Sequence, residues 1–398
     1  MVSRAPATSC AHGQNRSDQP MRNAHVYAST LEHESRMLRI TDALARSGRF
    51  DSISLFGMGG PGLPEHEQID RQRELLRFGH RHASNPGGSL FKLLRMCSWS
   101  LLLWRYFIHH PVACINAHSL AVLPLCYLVS RRHQALLVYE PHELETESIA
   151  SRGLRRLVSR AVERLLIRRC DVVFVVSGAI ADWYALNYRI PRPLVIRNVT
   201  EPLASRTEDH AALRAEVGLP RDGTVFVYQG AMMPGRGVEL LLRAFCSLPE
   251  LHLLLLGNGP LVPSIIDATA RNSNLHYHPA VPPAEVLKLT AAADVGLCLT
   301  EAACLSYAYS LPNKLFEYLA AGLPVIVSDL PEQSRFVAAH KCGWIAPSDE
   351  KALAKLLTSL NREQITSRRA SAAKAAEECR WSREQERMIE VYRTLLDG

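Results

Sequence analysis

The sequence predicts an α/β protein made of two Rossmann-like domains facing each other across a cleft, and three features predict it. Its 398 residues exceed what one core of ordinary size organises and suit two domains of about 150 to 200 residues each. Short apolar, β-branched runs alternate with helical repeats through both halves, the order of a parallel sheet with helices on its faces. Between the halves, residues 198–209 lose apolar periodicity and carry Pro202, Ser205 and Thr207, a linker composition. The division that follows is a tail at 1–22, a first domain at 23–197, the linker at 198–209, a second domain at 210–380, and a helix at 381–398 crossing back to the first domain.

The tail is polar, rich in Pro, Ser, Gln and Asn, and lacks the apolar stretch of a secretory signal, so disorder is expected there. Residues 24–28 read as a strand, 33–46 as a helix closed by Gly48, and 52–56 as a second strand. Gly57, Gly59 and Gly62 spell G-x-G-x-x-G, yet they run into Pro61 and Pro64 where a dinucleotide site needs a helix to begin, so a loop is expected. An amphipathic helix over 89–108, a strand over 112–116, a helix over 120–130 and a strand over 135–139 continue the alternation. Ligands of such sheets bind beyond the carboxyl ends of strands, which draws attention to Glu140, Pro141, His142 and Glu143. Residues 152–169 keep a helical apolar period (Leu154, Leu157, Val158, Ala161, Val162, Leu165, Leu166), with Arg152, Arg156, Arg160 and Arg164 four apart on the other side. A basic face of this kind, with the Leu- and Trp-rich helix at 89–108, predicts peripheral contact with an anionic membrane. A strand at 172–176, a helix at 178–186 and a strand at 194–196 complete the first sheet.

The second series runs strand 224–228, helix 238–246, strand 251–256, helix 261–270, strand 275–277, helix 283–291 and strand 295–299. It leads into S-L-P-N-K-L-F-E-Y-L-A-A-G-L-P-V-I-V-S-D at 310–329. Pro312 suits a first helical turn, Leu315, Phe316, Leu319 and Ala320 repeat at helical spacing, Gly322 is a stop, and residues 324–327 form a wholly apolar strand. A helix start offers unpaired N–H groups and a positive dipole end, so Ser310, Leu311, Pro312, Asn313 and Lys314 form a candidate phosphate site. Glu317 stands in an otherwise apolar helix, where a carboxylate is costly unless it meets a partner such as a sugar hydroxyl.

Composition narrows the function classes. Hydrophobic residues at 47% with 21% charged are ordinary for a globular protein, and no uninterrupted apolar segment is long enough to span a bilayer. Ten cysteines are scattered without C-x-x-C pairs, which gives no support to a zinc site or a disulfide framework and fits a reducing cytoplasm, at the inner face of the membrane if the basic helix docks there. A net charge of +7 is modest and suits an anionic partner, but without zinc-finger spacing or an RNA-binding signature nucleic acid is not expected.

In the second domain three turns follow strands: Q-G-A-M-M-P-G-R-G from Gln229, containing Gly230 and Arg236; G-N-G-P at Gly257, Asn258 and Gly259; and the loop from Leu299 to Asn313. Small residues near strand ends permit close approach of backbone to ligand, and Arg236 supplies a fork suited to two phosphate oxygens. Together with Lys314 and Glu317 they point to a nucleoside diphosphate ligand. These residues, with Y-E-P-H-E at 139–143 and Ser35-Arg36, resemble a GT-B glycosyltransferase of glycosyltransferase family 4, in the branch with an S-L-P-N-K-L-F-E-Y motif. The resemblance implies a retaining, metal-independent enzyme without cofactor that moves a sugar from a nucleotide sugar to a glycan or lipid-linked acceptor in cell-surface polysaccharide or glycolipid synthesis. It further implies that Arg236 grips the donor diphosphate, Glu317 binds the ribose hydroxyls and His142 stands beside the sugar. Two positions depart from the pattern: Ala231 replaces an arginine and Tyr309 replaces the first glutamate of an E-x7-E pair, which implies a changed sugar pocket. Those departures leave the alternative of a nucleotide-sugar-binding scaffold without catalysis, and the resemblance in fold leaves that of a GT-B epimerase.

Overall fold

Strands buried on both faces must be apolar throughout, and strands of that kind build two parallel sheets in the computed structural model. It describes residues 20–397 except 33, 80–88, 150 and 204–209; all but the last three residues of the expected tail and the second half of the expected linker lie outside the described residues. The first domain runs β1 (Arg22–Val26), α1 (Ser35–Arg46), β2 (Ser52–Met58), β3 (His66–Gln68), β4 (Arg73–Phe78), α2 (Ser89–His109), β5 (Cys114–Ala117) and α3 (Leu123–His133). It continues with β6 (Leu136–Tyr139), α4 (Gly153–Leu166), β7 (Val172–Val175), α5 (Gly178–Tyr188) and β8 (Leu194–Val195). The second runs α6 (His210–Glu216), β9 (Val225–Gln229), α7 (Val238–Cys246), β10 (His252–Leu256), α8 (Val262–Thr269), β11 (Leu275–His278), α9 (Pro283–Thr290) and β12 (Val295–Cys298). Then follow α10 (Leu305–Ala308), α11 (Asn313–Ala320), β13 (Val325–Ser328), α12 (Pro331–His340), β14 (Gly343–Ala346), α13 (Glu350–Ser359), α14 (Arg362–Glu378) and α15 (Trp381–Asp397).

The second sheet has the order β11-β10-β9-β12-β13-β14, a doubly wound arrangement whose connections reverse between β9 and β12. The first has the order β3-β4-β2-β1-β5-β6-β7-β8, reversing between β1 and β5. Crevices open at such reversals, so these four strand ends define where a ligand sits in each domain. The glycines at 57, 59 and 62 lead into no helix. Gly57 lies within β2, and the chain returns through β3, which pairs antiparallel with β4 at the sheet edge. That hairpin went unread in the sequence because its strands are short and charged, as edge strands commonly are. Helix α11 begins at Asn313, one residue after the expected start, with Pro312 in extended geometry as its N-cap.

Helix α15 packs on the first domain although its sequence follows the second. Tyr392 is fully buried, its ring 6.2 Å from Phe50 and 6.0 Å from Phe174, and its hydroxyl donates to Asn116 Oδ1 at 2.5 Å.

Helix α4 departs most from expectation. Its apolar residues face outward: Leu154, Leu157, Val158 and Leu165 are 54–77% exposed. It buries Leu166 and Glu163, and the Glu163 carboxylate accepts the hydroxyls of Tyr139, Tyr184 and Tyr188, each at 2.7 Å. Burial raises the Glu163 pKa and the three hydrogen bonds oppose that rise. Of the four arginines in register, Arg156 and Arg160 turn back to pair with Glu147, which leaves Arg152 and Arg164 exposed. Removing the carboxylate strands three buried hydroxyls, each costing about 1–3 kcal/mol without an acceptor. Glu163→Ala is therefore expected to destabilise the first domain by about 3 kcal/mol or more, read as an earlier transition in urea unfolding followed by tyrosine fluorescence.

Candidate functional site

The ends of β9, β10, β12 and α11 meet at one place, and glycine makes the meeting possible. A Cβ on Gly257, which has φ +151, would lie 2.0 Å from the Gly230 carbonyl oxygen, and one on Gly259 would lie 2.6 Å from Met232 O. The amides of these loops are already engaged: Gly230 N–H donates to Leu256 O, Gly257 N–H to His278 O, and Gly259 N–H to Asn258 Oδ1. These glycines lock the turns together and do not themselves offer N–H groups to a ligand, while Asn258 is tied in through its two oxygens, which accept from Met232 and Gly259. Ser310 is likewise turned inward, its hydroxyl donating to Tyr307 O, Leu311 is buried, and the Asn313 side chain accepts from Asn198. The donors left over include the Asn313 and Lys314 amides at the start of α11, which no helix pairs internally, and two side chains.

Those side chains are Arg236 and Lys314. Lys314 Nζ stands 3.6 Å from the centre of the Tyr228 ring, and the Arg236 guanidinium 4.4 Å from that of Tyr307. Among the described residues neither forms an ion pair, so each cation rests on an aromatic face with its donors uncommitted. Burial pushes the Lys314 pKa down to about 8; Arg236 pushes the same way, while Cys298 and Glu317 oppose it. Glu317 is held from the other side: Gln229 Nε2 donates to its carboxylate, Thr290 donates to Gln229 Oε1, and the Gln229 amide donates to the Tyr318 hydroxyl. Burial raises the Glu317 pKa, which Gln229, Arg39 and Lys314 counteract. The structure thus gathers Gly230, Arg236, Lys314 and Glu317 at one locus, as the sequence led us to expect.

The facing wall comes from the first domain. Arg39 of α1 donates to Asn198 Oδ1 at 2.5 Å and interacts with Glu317; burial and Arg36 lower its pKa to about 10. Arg36 is 5% exposed, donates to Ile196 O, and lies 3.7 Å from Glu140, yet its Nε and one Nη have no partner. Burial raises Glu140 to about 7 against the pull of Arg36. His142 stands near this pair, its pKa lowered to about 3 by burial and then by Arg36. It is one residue from Glu143, which accepts from Ser306 of the second domain at 3.2 Å. Tyr309 packs among apolar residues of the first domain, and its carbonyl accepts from Ser177, while Ala231 is exposed.

Sequence reasoning missed Gln229, Arg39 and the tyrosines under the cations. Gln229 carried a signal, a polar residue ending an apolar strand; the tyrosine platforms carried none, because Tyr228 and Tyr307 are ordinary core types in their own segments. Among the described residues one set of three side chains is spaced to hold a metal ion, His25, His118 and Glu140, and it belongs to the first-domain strand ends rather than to the Arg236 and Lys314 locus.

Comparison with known proteins agrees along both halves. The model of glycosyltransferase family 4 matches residues 33–201, and that of glycosyl transferases group 1 matches residues 223–363. A curated relative, D-inositol 3-phosphate glycosyltransferase of Segniliparus rotundus, is 25% identical over 335 residues, covering 76% of this chain and 72% of that protein. Among solved structures, sucrose-phosphate synthase from Thermosynechococcus elongatus aligns with a TM-score of 0.78 at 17% identity, covering 95% of this chain and 99% of that one. HepE of Anabaena, solved in complex with UDP and glucose, aligns with a TM-score of 0.68 at 16% identity, covering 94% and 100%. Family matches on each half, over two doubly wound sheets that share the architecture of these structures, make the chain a GT-B glycosyltransferase of the family 4 kind, an enzyme of sugar transfer.

Proposed function

We propose that the cleft binds a nucleoside diphosphate sugar and transfers the sugar with retained configuration, without a metal ion, to a glycan or lipid-linked acceptor at an anionic membrane. The observation that carries this reading is the pair of cations, Arg236 and Lys314, without an ion pair among the described residues and seated on tyrosine rings beside the start of α11. As the bond from sugar to diphosphate breaks, negative charge grows on the leaving phosphate, and donors fixed in advance stabilise it without reorganising. Two cations and a helix start supply the charge for which other enzymes use a divalent ion. Glu317, oriented by Gln229, accepts the ribose hydroxyls. His142 is neutral and a poor base, so the acceptor proton leaves to the departing phosphate oxygen on the same face of the sugar, which is the stereochemistry of retention. The HepE complex with UDP and glucose, on the same fold, supports a nucleotide-sugar donor.

The acceptor side rests on the outer face of the first domain. Helix α3 packs against both α2 and α4, so the three form one continuous surface. Leu93, Leu94 and Leu101 of α2, Leu128 of α3, and Leu154 and Leu157 of α4 are all more than half exposed. Lys92, Arg95, Arg152, Arg155 and Arg164 are exposed on the same helices or at their ends. Apolar side chains ringed by cations suit the boundary of an anionic bilayer, where each cation adds about 1 kcal/mol. No helix among the described residues is long and apolar enough to cross a membrane, so contact is peripheral on this reading.

Three outcomes test the proposal. Arg236→Ala and Lys314→Ala are each expected to lower kcat by about 10²- to 10³-fold in an assay of UDP or GDP release, with the fold intact by circular dichroism; turnover equal to the wild type in both, and in Glu317→Ala, refutes the site. Because the free Lys314 ammonium loses its proton near pH 8, diphosphate affinity measured by calorimetry should be flat below pH 7 and weaken above 8, by at most about tenfold per pH unit, and Lys314→Arg should remove that limb. The protein should co-sediment at low salt with vesicles containing anionic lipid and not with neutral ones, and Leu154→Asp with Leu157→Asp should release it; failure of the wild type to co-sediment removes the membrane reading.

A further inference from the structure

Behind His142 a row of polar side chains runs through the interior of the first domain, and its hydrogen bonds leave one proton arrangement. His25 of β1 and Asn116 of β5 are register partners on adjacent strands. The Asn116 carboxamide accepts the Tyr392 hydroxyl through Oδ1, while its Nδ2 faces Asn23 Oδ1 at 2.6 Å and the Ala24 carbonyl at 3.1 Å. A carbonyl only accepts, so the group facing it is the NH₂ and the amide cannot turn over. That NH₂ also lies 3.3 Å from His25 Nε2. An amide NH₂ offers no lone pair, so His25 Nε2 is unprotonated and the proton sits on Nδ1.

The rest follows ring by ring. His25 Nδ1–H donates to His118 Nε2 at 2.9 Å, which places the His118 proton on Nδ1. His118 Nδ1–H donates to His142 Nε2 at 3.3 Å, which places the His142 proton on Nδ1 as well. Each ring holds a single proton, because burial pushes His25 and His142 to about 3 and His118 well below its usual value, with Arg36 acting the same way on His118 and His142. Glu140 brings a carboxylate oxygen within 4.8 Å of His25 and His118 nitrogens but bonds to neither ring, and the Tyr27 ring stands 5.3 Å from that of His142.

We propose that Asn116, His25 and His118 are positioning residues that fix His142 as its Nδ1–H tautomer, so that it serves the cleft as a neutral hydrogen-bond donor to a substrate oxygen. With Nε2 committed to His118, Nδ1 is the nitrogen left for a ligand. Free histidine prefers the opposite tautomer, so the row imposes the less common form and delivers a donor where an isolated ring would offer a lone pair. It also ties α15 to the site, since Tyr392 holds the amide from which the order propagates. The role in transfer rests on the sugar-binding reading of the cleft; the tautomer does not.

The two are separable by experiment. In full-length protein labelled with ¹⁵N-histidine and free of substrate, two-bond proton–nitrogen spectra are expected to show Nδ1 of His25, His118 and His142 as the protonated nitrogen and Nε2 as the bare one. An Nε2–H pattern at His142, fast averaging, or metal-shifted nitrogens at His25 and His118 overturns the proposal whatever the enzyme's substrate. Asn116→Asp then reverses the row: a carboxylate accepts from His25 Nε2–H, Asn23, whose Nδ2 is unpartnered, turns to donate to it, and His142 is left with a bare Nδ1. The expected result is a reversed spectrum, unchanged affinity for UDP or GDP, and kcat lower by about 10²-fold, as for loss of one preorganised donor. A reversed spectrum with wild-type kcat refutes the positioning role while leaving the tautomer standing.

Discussion

The site depends on two cations at the ends of the second sheet that form no ion pair among the described residues. In most surface settings Arg236 and Lys314 would find a carboxylate, and a diphosphate would then have to displace it. Here each rests on an aromatic ring, Tyr307 and Tyr228, which steadies the charge without consuming its hydrogen-bond donors. Glu317, close enough to act on the Lys314 pKa, is turned toward Gln229 instead. The low dielectric that brings the Lys314 pKa to about 8 would also strengthen its attraction for the phosphate of the proposed donor.

Backbone geometry provides the room for this. The loops after β9 and β10 interlock where a Cβ on Gly257 or Gly259 would collide with the main chain of Gly230 or Met232, and the Gly230, Gly257 and Gly259 amides are already bonded to protein acceptors. On the proposed reading, phosphate recognition therefore passes to the α11 start and to side chains. On the facing wall, Arg36, Arg39 and His142 come from the strand ends and first helix of the other domain, and Arg39 is near enough to Glu317 for each to shift the other's pKa. Both walls lie at the reversal points of their sheets, where helices leave in opposite directions and a crevice opens.

Polar groups inside the first domain show how a fold can specify chemistry at a distance. Glu163 anchors α4 through three tyrosine hydroxyls, which turns Leu154, Leu157 and Leu165 outward and leaves the apolar surface shared with α2 and α3. Asn116, held by Tyr392 of the last helix, sets the proton order of three histidines. Each case is a buried polar side chain that is costly unless satisfied, and satisfying it dictates the orientation of its neighbours.

By itself the sequence determined the alternation of strands and helices, hence two doubly wound domains, and it marked Arg236, Lys314, Glu317 and His142, because apolar period, glycine turns and charged residues at strand ends are local properties of the chain. The short charged hairpin at β3 and β4 was not legible, since β3 is a polar edge strand and β4 beside it flanks its apolar pair with charges, and α4 was legible as a helix but not in its facing, since the same period serves a core or a membrane. Which residues stand together was decided only by the tertiary structure: Tyr228 under Lys314, Arg39 opposite Glu317, His25 beside Asn116, Tyr392 behind them both. Those pairings join segments up to 276 residues apart, and burial, which sets their charges and proton positions, exists only once the two sheets have closed on each other.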